Sequence, residues 1–67
     1  MTLFRQFAFS ETKLLQLYEL TTLNGQKSWW LALVETSIPD KPISQSIFHS
    51  QADAIDSFQK AIEGMKQ

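Results

Sequence analysis

A chain of 67 residues with a net charge of −1 and no cysteine is bounded before any motif is read. A domain of this size buries only roughly 60% of the surface its unfolded chain exposes, and without cysteine neither a disulfide nor a thiolate-held metal can reinforce so thin a core. Neither half is basic: Arg5, Lys13 and Lys27 stand against Glu11, Glu19 and Glu35 in residues 1–36, and Lys41, Lys60 and Lys66 against Asp40, Asp53, Asp56 and Glu63 in residues 37–67, so the linear sequence lacks the clustered basic footprint of strong phosphate binding.

The opening TLFRQFAF places Leu3, Phe7 and Phe9 on one strand parity and Phe4 and Ala8 on the other, which predicts a first strand over residues 2–9. Its apolar run is too short for a secretory leader and contains Arg5, and no stretch approaches the length of a membrane span. The expectation is a soluble cytoplasmic protein. Polar SETK then turns the chain back.

Next come LLQLYELTTL and QKSWWLALVE, separated by Asn24-Gly25. Both runs are rich in the aromatic and branched residues that strands favour, and Asn-Gly suits a two-residue type I′ turn, whose central positions both need positive φ. A hairpin of strands 14–23 and 27–36 follows. A rival reading makes residues 11–23 a helix capped by Ser10 and closed by Gly25, because Leu14, Leu17, Tyr18 and Leu20 also fit helical spacing. The strand is the preferred reading.

SIPDKP, with two prolines that cannot donate to a sheet ladder, is the one plausible loop. A short strand over 43–48 leads to a helix over 51–66, signalled by Ser50 and Asp53 at capping-box spacing and by Ile55, Phe58, Ile62 and Met65 at helical intervals. Asp53, Asp56, Gln59, Lys60 and Glu63 form its solvated face, with the early acids and late Lys66 suiting the helix dipole. The prediction is an α+β single domain over 1–67, an antiparallel four-stranded sheet followed by one helix.

Strand parity raises a question of coverage. Leu15, Leu17, Trp29, Leu31 and Leu33 share one parity, and Leu14, Tyr18, Leu20, Trp30, Ala32 and Val34 the other. Both sets are apolar, the pattern of a sheet covered on both sides, yet one helix covers only one side. Trp29 and Trp30, being adjacent, point to opposite faces. One is expected under the helix near Phe58 and Ile62, the other facing a partner chain or a ligand, and a self-complementary homodimer is the commonest solution for the uncovered side.

NGQKSWWLALVETS puts a turn glycine before an aromatic pair and an alternating aliphatic strand ending in Glu. QSIFHSQADAIDSFQKAIEGMKQ gives a final strand, a polar junction and a helix carrying Phe58. Together, over nearly the whole chain, these resemble a single repeat of the PUR family, the purine-rich-element binding proteins related to Whirly and positive-cofactor-four folds. The resemblance implies an intertwined homodimer and binding of single-stranded DNA or RNA on the sheet face, with Tyr18, Trp29 and Trp30 as stacking candidates and Arg5, Lys13 and Lys27 tracking phosphates. Family sheets carry several Arg and Lys beside the aromatics; this one offers only those three.

No chemistry competes with a binding role. His49, the only histidine, stands beside the helix cap without an orienting group or nucleophile. Asp53 and Asp56 lack a third metal ligand, and Gly25 and Gly64 do not make a phosphate loop. The expectation is a non-enzymatic protein without cofactor. The alternative to nucleic-acid binding is a protein-binding adaptor or inhibitor, of the kind a phage or mobile element encodes, for which the balanced surface charge suits docking on a protein target.

Overall fold

The structure is a computed structural model that describes residues 1–38 and 40–65, Met65 by its backbone alone. Pro39 of the expected loop and the Met65 side chain and Lys66 of the expected helix lie outside the described residues. Four strands, β1 (Thr2–Ala8), β2 (Lys13–Thr21), β3 (Lys27–Glu35) and β4 (Ser44–Phe48), precede one helix, α1 (Gln51–Met65). The strands form an antiparallel sheet in the order β1-β2-β3-β4, so the α+β architecture read from the sequence is the one present. The rival helix over 11–23 is replaced by β2.

The hairpin is right, but its turn is not a type I′ turn. Gly25 has φ 82°, while no non-glycine among the described residues, Asn24 included, has positive φ. The Gly25 N–H donates to Thr22 O at 3.0 Å and the Thr22 N–H to Gln26 O at 2.8 Å. This is a three-residue loop, Leu23 to Gly25, in which a tight turn is followed by a left-handed glycine. Thr22 and Leu23 therefore leave the predicted strand, and the pairing runs Leu15 to Leu33, Leu17 to Leu31 and Tyr18 to Trp30.

The first strand departs from strict alternation. Its pairing with β2 shifts between Leu3 and Arg5: Leu3 lies opposite Tyr18, and Arg5 opposite Leu17. One extra residue, a β-bulge, lets both Phe4 and Phe7 reach the same core, which a period of two forbids for residues three apart. Leu3, expected beside Phe7, is sent to the other face.

The core lies between the sheet and α1: Leu15, Leu17, Trp29, Ala54, Phe58 and Ile62 are buried, with Phe4, Phe7, Phe9, Leu31, Leu33, Phe48 and Ala61 packed around them. Ser50 caps the helix, its Oγ accepting from the Asp53 N–H at 3.4 Å. The buried stripe is Ala54, Phe58 and Ile62, at intervals of four, and Ile55 is only half-buried. The small Ala54 side chain, fully enclosed, allows the first turns of α1 to approach the sheet closely. Hydropathy alone favours the larger Ile55 for that place, so the buried stripe departs from the expected one at its first position, while Phe58 and Ile62 lie where the periodicity put them.

Candidate functional site

Alternation along β2 and β3 assigns the other sheet face without ambiguity, because Leu15, Leu17 and Trp29 belong to the helix-side core. On the open face the register sets Leu3, Tyr18, Trp30 and Ile47 side by side across all four strands. Tyr18 and Trp30 are half-buried and stack with ring centroids 5.6 Å apart and planes at 27°. Leu3 and Ile47, at the two ends of the row, are exposed at 47% and 54%.

A polar row runs beside it. Gln6 pairs with Gln16, Gln16 with Ala32, and Ala32 with Gln45. Ala32 is submerged between longer neighbours at 1% exposure. The Gln16 Nε2 donates to Gln6 Oε1 at 3.0 Å, the Tyr18 hydroxyl to Gln16 Oε1 at 3.1 Å, and the Trp30 indole N–H to Gln45 Oε1 at 3.0 Å. These bonds hold both aromatic rings in place by their polar ends while the apolar parts remain partly open. Beyond this row, Leu14 pairs with Val34.

The six residues named from the sequence divide between the faces. Tyr18 and Trp30 come together on the open face. Trp29 lies across the sheet, 6% exposed in the helix-side core, and its buried indole N–H has no hydrogen-bond partner among the described residues. Lys13 and Lys27 share the parity of Leu15 and Trp29, which places them on the helix side. Lys27 Nζ is 3.5 Å from Glu19 Oε1, and Lys13 is paired in register with Glu35. Arg5 lies opposite Leu17 at the bulge, its guanidinium carbon 5.6 Å from the centre of the Phe4 ring. Cations and open aromatics are thus segregated by the sheet.

Neither the family models, nor the curated proteins, nor the solved structures compared with this chain give a match.

Leu3, Gln6, Gln16, Gln45 and Ile47 complete the open face and were not singled out from the sequence. Gln16 interrupts an otherwise apolar stretch, and that interruption was the available signal, whereas Gln45 lies between two serines and carries none. Their relation becomes legible only once the register places the two on one row. Among the described residues no group of three or more His, Asp or Glu side chains converges to hold a metal, and no helix is long and apolar enough to cross a membrane. Away from this face, on the outer side of α1, the Lys60 ammonium has its pKa raised by its hydrogen bond to and charge attraction with Asp56, 3.0 Å away.

Proposed function

We propose that this chain is a non-enzymatic, cytoplasmic, homodimeric binding module of the PUR-like kind, which takes single-stranded DNA or RNA on its open sheet face. The observation that carries the reading is the Tyr18–Trp30 stack, fixed by Gln16 and Gln45 and left partly open in the middle of that face. A base laid against the exposed side of this pair gains about 1–3 kcal/mol from stacking, with little dependence on sequence. The neighbouring glutamine amides supply donors and acceptors of the kind that base edges satisfy. The homodimer is supported by the large apolar side chains that one helix leaves exposed at the β4 end of the sheet, Ile43 and Ile47.

The segregation of charge sets the character of the binding. With Lys13, Lys27 and Arg5 rooted on the helix side, few phosphates are neutralised, so affinity is modest and its salt dependence shallow. Fluorescence anisotropy with labelled single-stranded oligonucleotides, DNA and RNA, at low and moderate salt tests this. The expected result is saturable binding that weakens about tenfold or more in Trp30→Ala, as the loss of a stacked base demands. Binding unchanged in that variant, or no binding at low salt by the folded protein, overturns it.

The same segregation favours a second reading. A nearly uncharged row of Leu3, Tyr18, Trp30 and Ile47 suits a protein target, with the module acting as an adaptor or inhibitor. A folded protein that ignores oligonucleotides at low salt directs the search there.

A further inference from the structure

The sheet has two edges, and only one is guarded. β1 carries the bulge between Leu3 and Arg5 and the cation of Arg5 itself, devices that discourage another strand from pairing. β4 is the sequence SQSIF, without charge or proline, in unbroken register with β3 from Ser44 to Phe48. Among the described residues nothing pairs with its outer side. Alternate residues of such a strand turn their N–H and C=O groups away from the sheet. Two large apolar side chains accompany this bare edge, Ile43 at 55% and Ile47 at 54% exposure.

We propose that β4 is the seam of the homodimer: the β4 strands of two copies pair antiparallel about a twofold axis at Ile47 and join two four-stranded sheets into one of eight. The proposal rests on the homodimeric reading above and names its interface. Three features make a second copy the occupant. Pairing centred on Ile47 sets Ser46 opposite Phe48 and Gln45 opposite His49, so no acidic or lysine/arginine charges meet across the seam. It places Ile47 against its own symmetry mate and so covers an isoleucine that the single chain leaves half in water. It also makes the apolar row continuous, because Leu3, Tyr18, Trp30 and Ile47 of one copy run directly into Ile47, Trp30, Tyr18 and Leu3 of the other.

The consequence for the open face is geometric. Trp30 lies on the strand next to β4 in each copy, so the two indoles are separated by three strand spacings, or about 14 Å at roughly 4.8 Å each. The dimer then presents two aromatic stacks on one surface rather than one on each of two.

The absence of cysteine from the chain provides a direct test. In Ile47→Cys the two introduced thiols face each other across the axis, where Cα atoms of opposed residues lie about 4.5–5.5 Å apart, within the range a disulfide spans. Mild oxidation is expected to convert this variant to a covalent dimer, whereas Leu3→Cys on the guarded edge and Gly64→Cys on the helix remain uncrosslinked. Hydrogen exchange on the wild type is the second measurement: the outward amides of β4 are expected to be protected at concentrations where light scattering gives twice the chain mass, and to lose protection on dilution. A dimer whose β4 amides exchange freely overturns the seam while leaving the homodimer standing, even if Ile47→Cys crosslinks, since a face-to-face contact then accounts for the crosslink. A folded monomer at all concentrations overturns both. Oligonucleotide binding is measured separately and decides neither.

Discussion

Tyr18 and Trp30 lie directly opposite each other on β2 and β3 and stack at 5.6 Å, while Trp29, one residue away, is sealed on the other side of the same sheet. The two adjacent indoles therefore belong to different parts of the protein's energetics. Trp29 is a core residue that contacts the helix-side cluster, and Trp30 is a surface residue held by one ring and one glutamine.

Truncation separates them. Trp29→Ala is expected to cost about 3–5 kcal/mol, as for other buried aromatics, a large share of the stability a small domain possesses. Trp30→Ala loses the ring stack and part of a half-buried surface, roughly 1–2 kcal/mol. Trp29→Phe falls well below Trp29→Ala, because it keeps most of the apolar volume and removes a buried N–H whose lack of a partner costs about 1–3 kcal/mol. Urea denaturation of the three variants measures the order; a larger loss at position 30 than at 29 contradicts the assignment of faces.

Two alanines near the start of α1 make a second comparison. Ala54 has no exposed surface and lies in the core cluster, whereas Ala52 is exposed. Ala54→Leu forces extra carbon atoms between helix and sheet and is expected to cost about 1–3 kcal/mol. Ala52→Leu stays within about 0.5 kcal/mol of wild type. Thermal melts with matched circular dichroism spectra distinguish the two.

These comparisons mark what the sequence made legible. Element order and type followed from periodicity and turn chemistry: β3 and α1 each carry a strong pattern, while β2, whose leucines also fit helical spacing, was assigned through the hairpin signal at Asn24-Gly25. The faces were harder. Ala54 has the right position but a weak hydrophobic signal, so Ile55 took its place. Phe4 and Phe7 share a face only through a bulge, and no local rule announces one in TLFRQFAF. Above all, which tryptophan faces the helix depends on the length of one loop. A two-residue turn at Asn24-Gly25 opposes residues 23 and 26, whereas the three-residue loop opposes 22 and 26, and that single step exchanges the faces of β3 relative to β2.

The turn itself is testable at Gly25. Its φ of 82° lies in the region where β-branched residues are strongly disfavoured, although the space around its Cβ position is open. Gly25→Val is expected to lose roughly 1–3 kcal/mol from backbone strain alone. Asn24→Ala, at a position of ordinary negative φ, loses only the side-chain contact with the Thr22 hydroxyl and costs a few tenths. Equal melting temperatures for the two variants contradict the left-handed conformation at position 25.

Deletion of Leu23 is the most demanding test of the register. Leu23 projects from the loop tip fully exposed, and its neighbours Thr22 and Gln26 are already joined through the backbone. Removing it leaves Asn-Gly as a two-residue loop between them, the composition that type I′ turns favour and whose twist matches paired strands. Because Thr22 and Gln26 stay opposed, every pair from Thr21–Lys27 to Lys13–Glu35 is retained, and Tyr18 remains against Trp30. The deletion is therefore expected to fold with unchanged or slightly higher stability and to keep the near-ultraviolet dichroism of the Tyr18–Trp30 stack. Inserting one alanine between Ser28 and Trp29 has the opposite consequence: Trp29 and the residues after it in β3 change face, the core loses Trp29, and the cooperative melt is expected to disappear. A deletion as damaging as the insertion contradicts the three-residue loop, since only a chain already using Asn24 and Gly25 as its whole turn has no residue to spare there.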